Sequence, residues 1–158
     1  MANKKTIAWD ETATPQRNAG DHLPGLARKY FQSGRELLEK RPSAQTLHHF
    51  RLETKRFRYT LELFRPCYGP GLDQRLQKLR EIQGHLGEIS DCSATMELAG
   101  RSSTAFRGYL RRRMAAKTEA LHIYWRERFD AAGQEGWWTK YLAHSVRKQV
   151  RHEHNQSH

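Results

Sequence analysis

His48, Arg51, Lys55 and Arg58 follow one another at spacings of three, four and three residues, and Arg65 continues the row two turns later. On a helix this spacing stacks the side chains along one face over about 15 Å between the first and the fourth. A line of cationic or titratable groups suits one kind of chemistry, the holding of an extended anion by charge-assisted hydrogen bonds. Without an anion the cations repel one another, and a groove around them focuses their field. Catalysis would need more. Glu88 and Asp91 lie three residues apart, but no second acidic motif joins them to hold a metal. His48 and His85 lack an evident orienting partner. The pattern points to binding and away from a phosphohydrolase.

The helix that carries the row must be buried beside it. Leu47, Phe50, Thr54, Phe57, Leu61 and Phe64 recur at three- and four-residue spacings, a stripe that is apolar apart from Thr54. Leu52, Tyr59 and Leu63 form a second apolar strip on the far side of the basic row. A helix apolar on two sides is expected to pack against two neighbours, with the row lining a groove between them. Arg56 points another way and suits solubility. A following helix supplies a matching face. Leu76, Leu79, Ile82, Leu86 and Ile89 build its core stripe, with Arg80, Gln83, Gly87 and Asp91 along one edge. Arg80 and Gln83 can donate to phosphate oxygens, and Asp91 is expected to orient an arginine of the preceding helix. Gly84 and Gly87 each cost a helix about 1 kcal/mol relative to alanine. Close approach of another backbone is the expected reason for them.

Punctuation sets the frame. Residues 1–20 read as a loose arm, and Pro24 suits the first turn of a helix that ends before Pro42. Ser43 caps the helix with the basic row, which stops at Pro66. Gly69, Pro70 and Gly71 break the chain before a helix over about 72–99, with Gly100 as its stop. Ser102 or Ser103 caps a fourth helix over about 104–131, and a short fifth runs over about 137–150. No strand pattern is present. The expected fold is all-α, an antiparallel bundle of about four long helices plus a short C-terminal helix over residues 21–150. In the fourth helix Arg113 and Lys117 fall within the stripe of Phe106, Leu110 and Leu121 and are expected to point to the groove. Trp125, Phe129, Trp137 and Trp138 are expected in the core, although such rings can also stack on bases. The tail 151–158 is polar and reads as a frayed end, and its His152, His154 and His158 could otherwise catch a metal.

The whole chain is strongly basic. Twenty-eight Lys and Arg against 17 Asp and Glu give a formal charge of +11 over 158 residues. An acidic partner follows: nucleic acid, an anionic surface or a free polyanion. Cys67 and Cys92 form no CxxC pair and suggest neither a disulfide framework nor a zinc site. No apolar run approaches the ~20 residues that span a bilayer, and no signal peptide follows Lys4 and Lys5. The expected setting is cytoplasmic, with no metal or cofactor and no membrane partner.

Two segments resemble a known family. Residues 47–59, LHHFRLETKRFRY, resemble the signature helix of CHAD domains, the conserved-histidine alpha-helical domains. Residues 76–91, LQKLREIQGHLGEISD, resemble the family's second signature, with its Gln, Leu-Gly and Asp. The likeness is firm over about residues 44–99 and loose in the flanking helices. It places His48 at the family's histidine, with Arg51, Lys55, Arg56 and Arg58 on its basic positions and Arg80 on that of the second signature. It implies a helical bundle that binds inorganic polyphosphate through a basic surface and associates with polyphosphate granules. Some members are fused to a triphosphate-tunnel domain, whose ExExK strand is absent here.

Family members typically hold two similar bundles related by a pseudo-twofold, whereas this chain has each signature once and resembles the second half. The expectation is therefore a polyphosphate-binding site made of His48, Arg51, Lys55, Arg56, Arg58, Arg80, Gln83, Arg113 and Lys117, completed in a homodimer that covers Leu52, Tyr59 and Leu63. A helical nucleic-acid-binding protein using the same cations on backbone phosphates is the alternative. His48 is expected to act as a neutral donor or as a pH-dependent cation.

Overall fold

The computed structural model describes residues 7–101 and 103–155, with side chains through His144. Among the described residues all regular structure is helical. The elements are α1 (Pro15–Glu39), α2 (Ala44–Leu63), the single turn α3 (Arg65–Tyr68), α4 (Gly71–Ala99), α5 (Thr104–Tyr124) and α6 (Gln134–Asn155). A π-helical turn, Trp125–Phe129, prolongs α5. The expected all-α bundle is present, with some boundaries moved.

The helix starts follow from their caps. Thr14, Ser43 and Ser103 accept from the backbone N–H of Arg17, Thr46 and Phe106, each at 3.2 Å. Each bond satisfies a donor that the first turn leaves without a helical partner. The proline that opens α1 is Pro15, and Pro24 lies buried in the helix interior. It forfeits one backbone bond there and adds its ring to the core. The described segment before α1, residues 7–14, is tied down. Asp10 accepts from the Thr12 backbone and hydroxyl at 2.9 and 2.6 Å, and Asn18 exchanges two hydrogen bonds with the Asp10 backbone. Pro66 opens α3. Gly100, at φ 49°, ends α4 as its position suggested.

The fourth helix does not run regularly to residue 131. The Asp130 N–H bonds the Trp125 carbonyl at 2.6 Å, an i to i+5 step that closes the π turn. Arg35 of α1 then grips Asp130 through two bonds of 2.7 Å and Glu135 through one of 2.9 Å, fixing the bend into α6. The helix after the bend is not short, at 22 residues. His152 and His154 lie on its backbone and His158 after it, but their side chains lie outside the described residues.

α1 packs along α6 and against α2, α2 against α4, and α4 against α5. The end of α5 and the π turn come back to α1. Trp125, Phe129 and Trp138 are buried, as expected, and join Tyr30, Phe31, Phe50 and Phe57 in one aromatic core. Trp137 is half-buried and covers a cation. Thr54, the one polar residue of the α2 stripe, is fully buried and donates to the Phe50 carbonyl at 2.8 Å. Its oxygen therefore accepts from the Tyr30 hydroxyl at 2.7 Å, which ties α2 to α1. Phe106 departs from expectation. Leu110 and Leu121 are buried, but Phe106 is 42 % exposed, and its neighbours Ala105 and Arg107 in the first turn of α5 are exposed as well.

Candidate anion-binding site

The basic row of α2 runs along its seam with α4. At the start of α2 a cleft of about 470 Å³ opens between the helices. Its walls are Leu47, Leu86 and Ile89, and its polar rim includes His48, Arg51, Ser90, Ser93 and one carboxylate, Glu97. The capping interaction of Ser43 brings the first turn of α2, Ala44 and Gln45, to the same cleft. His48 and Lys55 are exposed and Arg51 is half-buried. Among the described residues neither Arg51 nor Lys55 forms an ion pair.

The far end of the row is built differently. Arg58 is largely buried, with its guanidinium 4.7 Å from the Tyr59 ring centroid and its Nε without a hydrogen-bond partner. Its Nη1 donates to Glu62 Oε1 at 2.7 Å. Arg80 of α4 reaches across the seam to the same oxygen at 3.3 Å. One carboxylate oxygen thus joins the two arginines. Glu62, which the sequence reading passed over, fills the orienting role expected of Asp91, and Asp91 is exposed. The signal was available, since Glu62 is one helical turn after Arg58.

Other expected site residues take different places. Gln83 stands half-buried on the α4 edge that carries Arg80. Arg56 is exposed on the opposite side of α2, where it and Lys29 of α1 act on the Glu53 carboxyl, which burial pushes up. Lys117 donates to Glu88 at 3.0 Å and holds that carboxyl below its usual range, with Arg113 contributing. These two residues flank the α5 side of α4 and do not line the cleft beside α2. The groove between two packed neighbours is also not what forms. Leu52, Tyr59 and Leu63 are 43, 49 and 75 % exposed, so the basic row borders one packed seam and one open apolar strip. Nor does a close backbone account for the α4 glycines: a Cβ at Gly84 or Gly87 would meet nothing within 4 Å.

The arrangement can hold phosphate oxygens along a helix face, with free cations at one end and a carboxylate-bridged arginine pair at the other. Among the described residues no group of three His, Cys, Asp or Glu side chains is placed to hold a metal ion, and no helix is long and apolar enough to cross a membrane. Searches among curated proteins and among solved structures gave no match. The family model of the CHAD domain matches residues 3–100, which takes in α1, both signature helices and the seam between them. With well over half of its 158 residues inside that match, the chain belongs to the CHAD domain family.

Proposed function

We propose that the chain binds inorganic polyphosphate, without catalysis, along the α2–α4 seam. The observation that carries this reading is the pair of cations Arg51 and Lys55, which lack ion-pair partners among the described residues although they border a packed seam. His48 at the cleft and Gln83 on the facing helix add donors. Membership of the CHAD family supports the choice of ligand, because that domain is generally associated with polyphosphate-related proteins. A cytoplasmic place at polyphosphate granules fits the same reading.

Binding through such a row displaces counterions from the ligand, so its affinity falls steeply with salt. Titration of labelled polyphosphate from low to moderate salt, with DNA, RNA and heparin as competitors at fixed salt, checks both strength and choice. A flat salt dependence would count against the seam, and preferential displacement by nucleic acid would favour the second reading. One observation supports that second reading. Phe106 and Tyr109 are exposed on α5 among Arg107, Arg111 and Arg112, a surface on which unpaired bases could stack.

The working unit in this proposal is a homodimer. Leu52, Tyr59 and Leu63 leave an apolar strip beside the row, and a twofold partner on it would set two rows along one channel. Long chains would then bridge both rows and gain from effective concentration. Light scattering over a concentration series, with and without long-chain polyphosphate, checks this. A monomer under both conditions that binds one chain per protein would remove the dimer.

A further inference from the structure

Glu62 is an unusual neighbour for a site that takes anions. Its Oε1 accepts from Arg58 at 2.7 Å and from Arg80 at 3.3 Å, so it occupies a position where a phosphate oxygen would sit. The two guanidiniums come from different helices, and the carboxylate is the only acceptor that either side chain meets among the described residues. The pair with Arg58 is also the less exposed one, with side chains 16 and 30 % exposed, so solvent screens it less than a fully wet pair. The order along the helix is arginine first and glutamate a turn later, the less favourable arrangement for the helix itself. Helix stability alone therefore gives little reason for the carboxylate to be there.

The opposite end of the row lacks such a competitor. Arg51 and Lys55 are without ion pairs among the described residues, and His48 lines the open cleft, whose carboxylate Glu97 pairs with neither cation. An anion can settle at that end without displacing anything on the protein. To gain Arg58 and Arg80 it must replace a carboxylate tethered one helical turn away, which competes at high effective concentration. A small anion that engages only the arginine pair gains little by the exchange. A long chain already anchored on Arg51 and Lys55 presents its next phosphates intramolecularly and competes on equal terms.

We propose that Glu62 is a built-in competitor that keeps the Arg58–Arg80 pair from anions not also anchored at Arg51 and Lys55. This rests on the reading of the seam as the polyanion site and adds the residue that controls access to its second half. Glu62→Gln keeps the shape of the side chain and removes its charge.

The test compares the parent, Glu62→Gln and Glu127→Gln, the last an equal charge change at an exposed position on the π turn. Each is titrated with tripolyphosphate and with long-chain polyphosphate. Glu62→Gln should bind tripolyphosphate about five-fold more tightly, the scale of one partly exposed ion pair. Long chains, which displace the same carboxylate, should gain by at least a similar factor, and Glu127→Gln should change neither by a comparable factor. Unchanged or weaker tripolyphosphate binding by Glu62→Gln would overturn the proposal, because the carboxylate would then serve to position the arginines. An equal gain in Glu127→Gln would also overturn it, leaving net charge as the cause. Heparin and DNA oligonucleotides, each short and long, separate this idea from the ligand reading. If the parent and Glu62→Gln bind no polyphosphate, while Glu62→Gln gains on the short forms of those ligands, the competitor stands and polyphosphate falls. If the parent binds polyphosphate and Glu62→Gln gains nothing, the reverse holds. Failure of all three proteins to bind any of these anions overturns both.

Discussion

Arg75 and Arg51 carry the same guanidinium at opposite ends of the bundle's logic. Arg75, on α4, is buried and has no carboxylate partner among the described residues. It donates to the carbonyls of Gly71 and Trp137 at 3.1 and 2.8 Å, and the rings of Trp137 and Tyr141 lie 3.5 and 3.7 Å from it. Burial pushes its pKa down to about 10, so it stays charged at neutral pH. Lys78, on the same helix, is likewise engaged by the Arg128 carbonyl and the Gln134 side chain. These cations clamp α4 onto α6. Arg51 and Lys55 have no comparable set of partners. A charge of +11 therefore does not describe one uniform surface. Part of it is used to hold helices together, part is neutralised by Glu62 and Glu88, and part is left for something outside the chain.

The largest effect should come from removing that last part. Replacing Arg51, Lys55 and Arg58 together with alanine removes three charge-assisted contacts, worth on the order of 1.5 kcal/mol each, and should weaken polyphosphate binding by at least about a hundred-fold. Helix content by circular dichroism should be retained, because none of the three holds the core. Replacing Arg107, Arg111 and Arg112, all exposed on α5, should matter less. Equal losses in the two triple variants would erase the distinction between seam and surface and leave net charge as the explanation.

The seam was legible in the sequence and its boundaries were not. Three- and four-residue spacing is enough to place Leu47, Phe50, Phe57 and Leu61 inward and His48, Arg51 and Lys55 on the flank, because helix geometry alone fixes those angles. Which strip beside the row is covered within the chain depends on the tertiary arrangement, and Leu52, Tyr59 and Leu63 are left exposed there, with no second packed neighbour. Pro24 misled for a similar reason. A proline marks a helix start only if nothing upstream is helical, and Thr14 with Pro15 provides an earlier start. Arg113 and Lys117 share the α5 face that meets α4, and wheel angles could not say on which side of α4 they would emerge. Within α2 Glu62 is an ordinary partner one turn from Arg58, and its role emerges only where Arg80 reaches it from another helix.

Glycines sharpen the same contrast at smaller scale. Gly34 of α1 is buried, and a Cβ there would overlap the six-membered ring of Trp125. Neither the α1 backbone nor the packed indole can yield freely, so Gly34→Ala should destabilise the fold by about 1–3 kcal/mol. Gly84 and Gly87 of α4 face open space, and an added Cβ meets nothing within 4 Å. Alanine is the better helix former by up to about 1 kcal/mol, so Gly84→Ala and Gly87→Ala should each raise the melting temperature. Gly87 sits on the α4 edge between Gln83 and Ser90, next to the cleft that Arg51 and Ser90 share. A phosphate chain lying on that seam would approach the bare helix backbone, and a methyl group would stand in its way. Gly87→Ala should then bind long-chain polyphosphate more weakly while being more stable, and Gly84→Ala should lose less. Thermal denaturation and titration on the same samples check the pairing of signs. If Gly87→Ala is both more stable and equally good at binding, the chain does not lie against α4, and the contacts belong to the side chains of α2 alone.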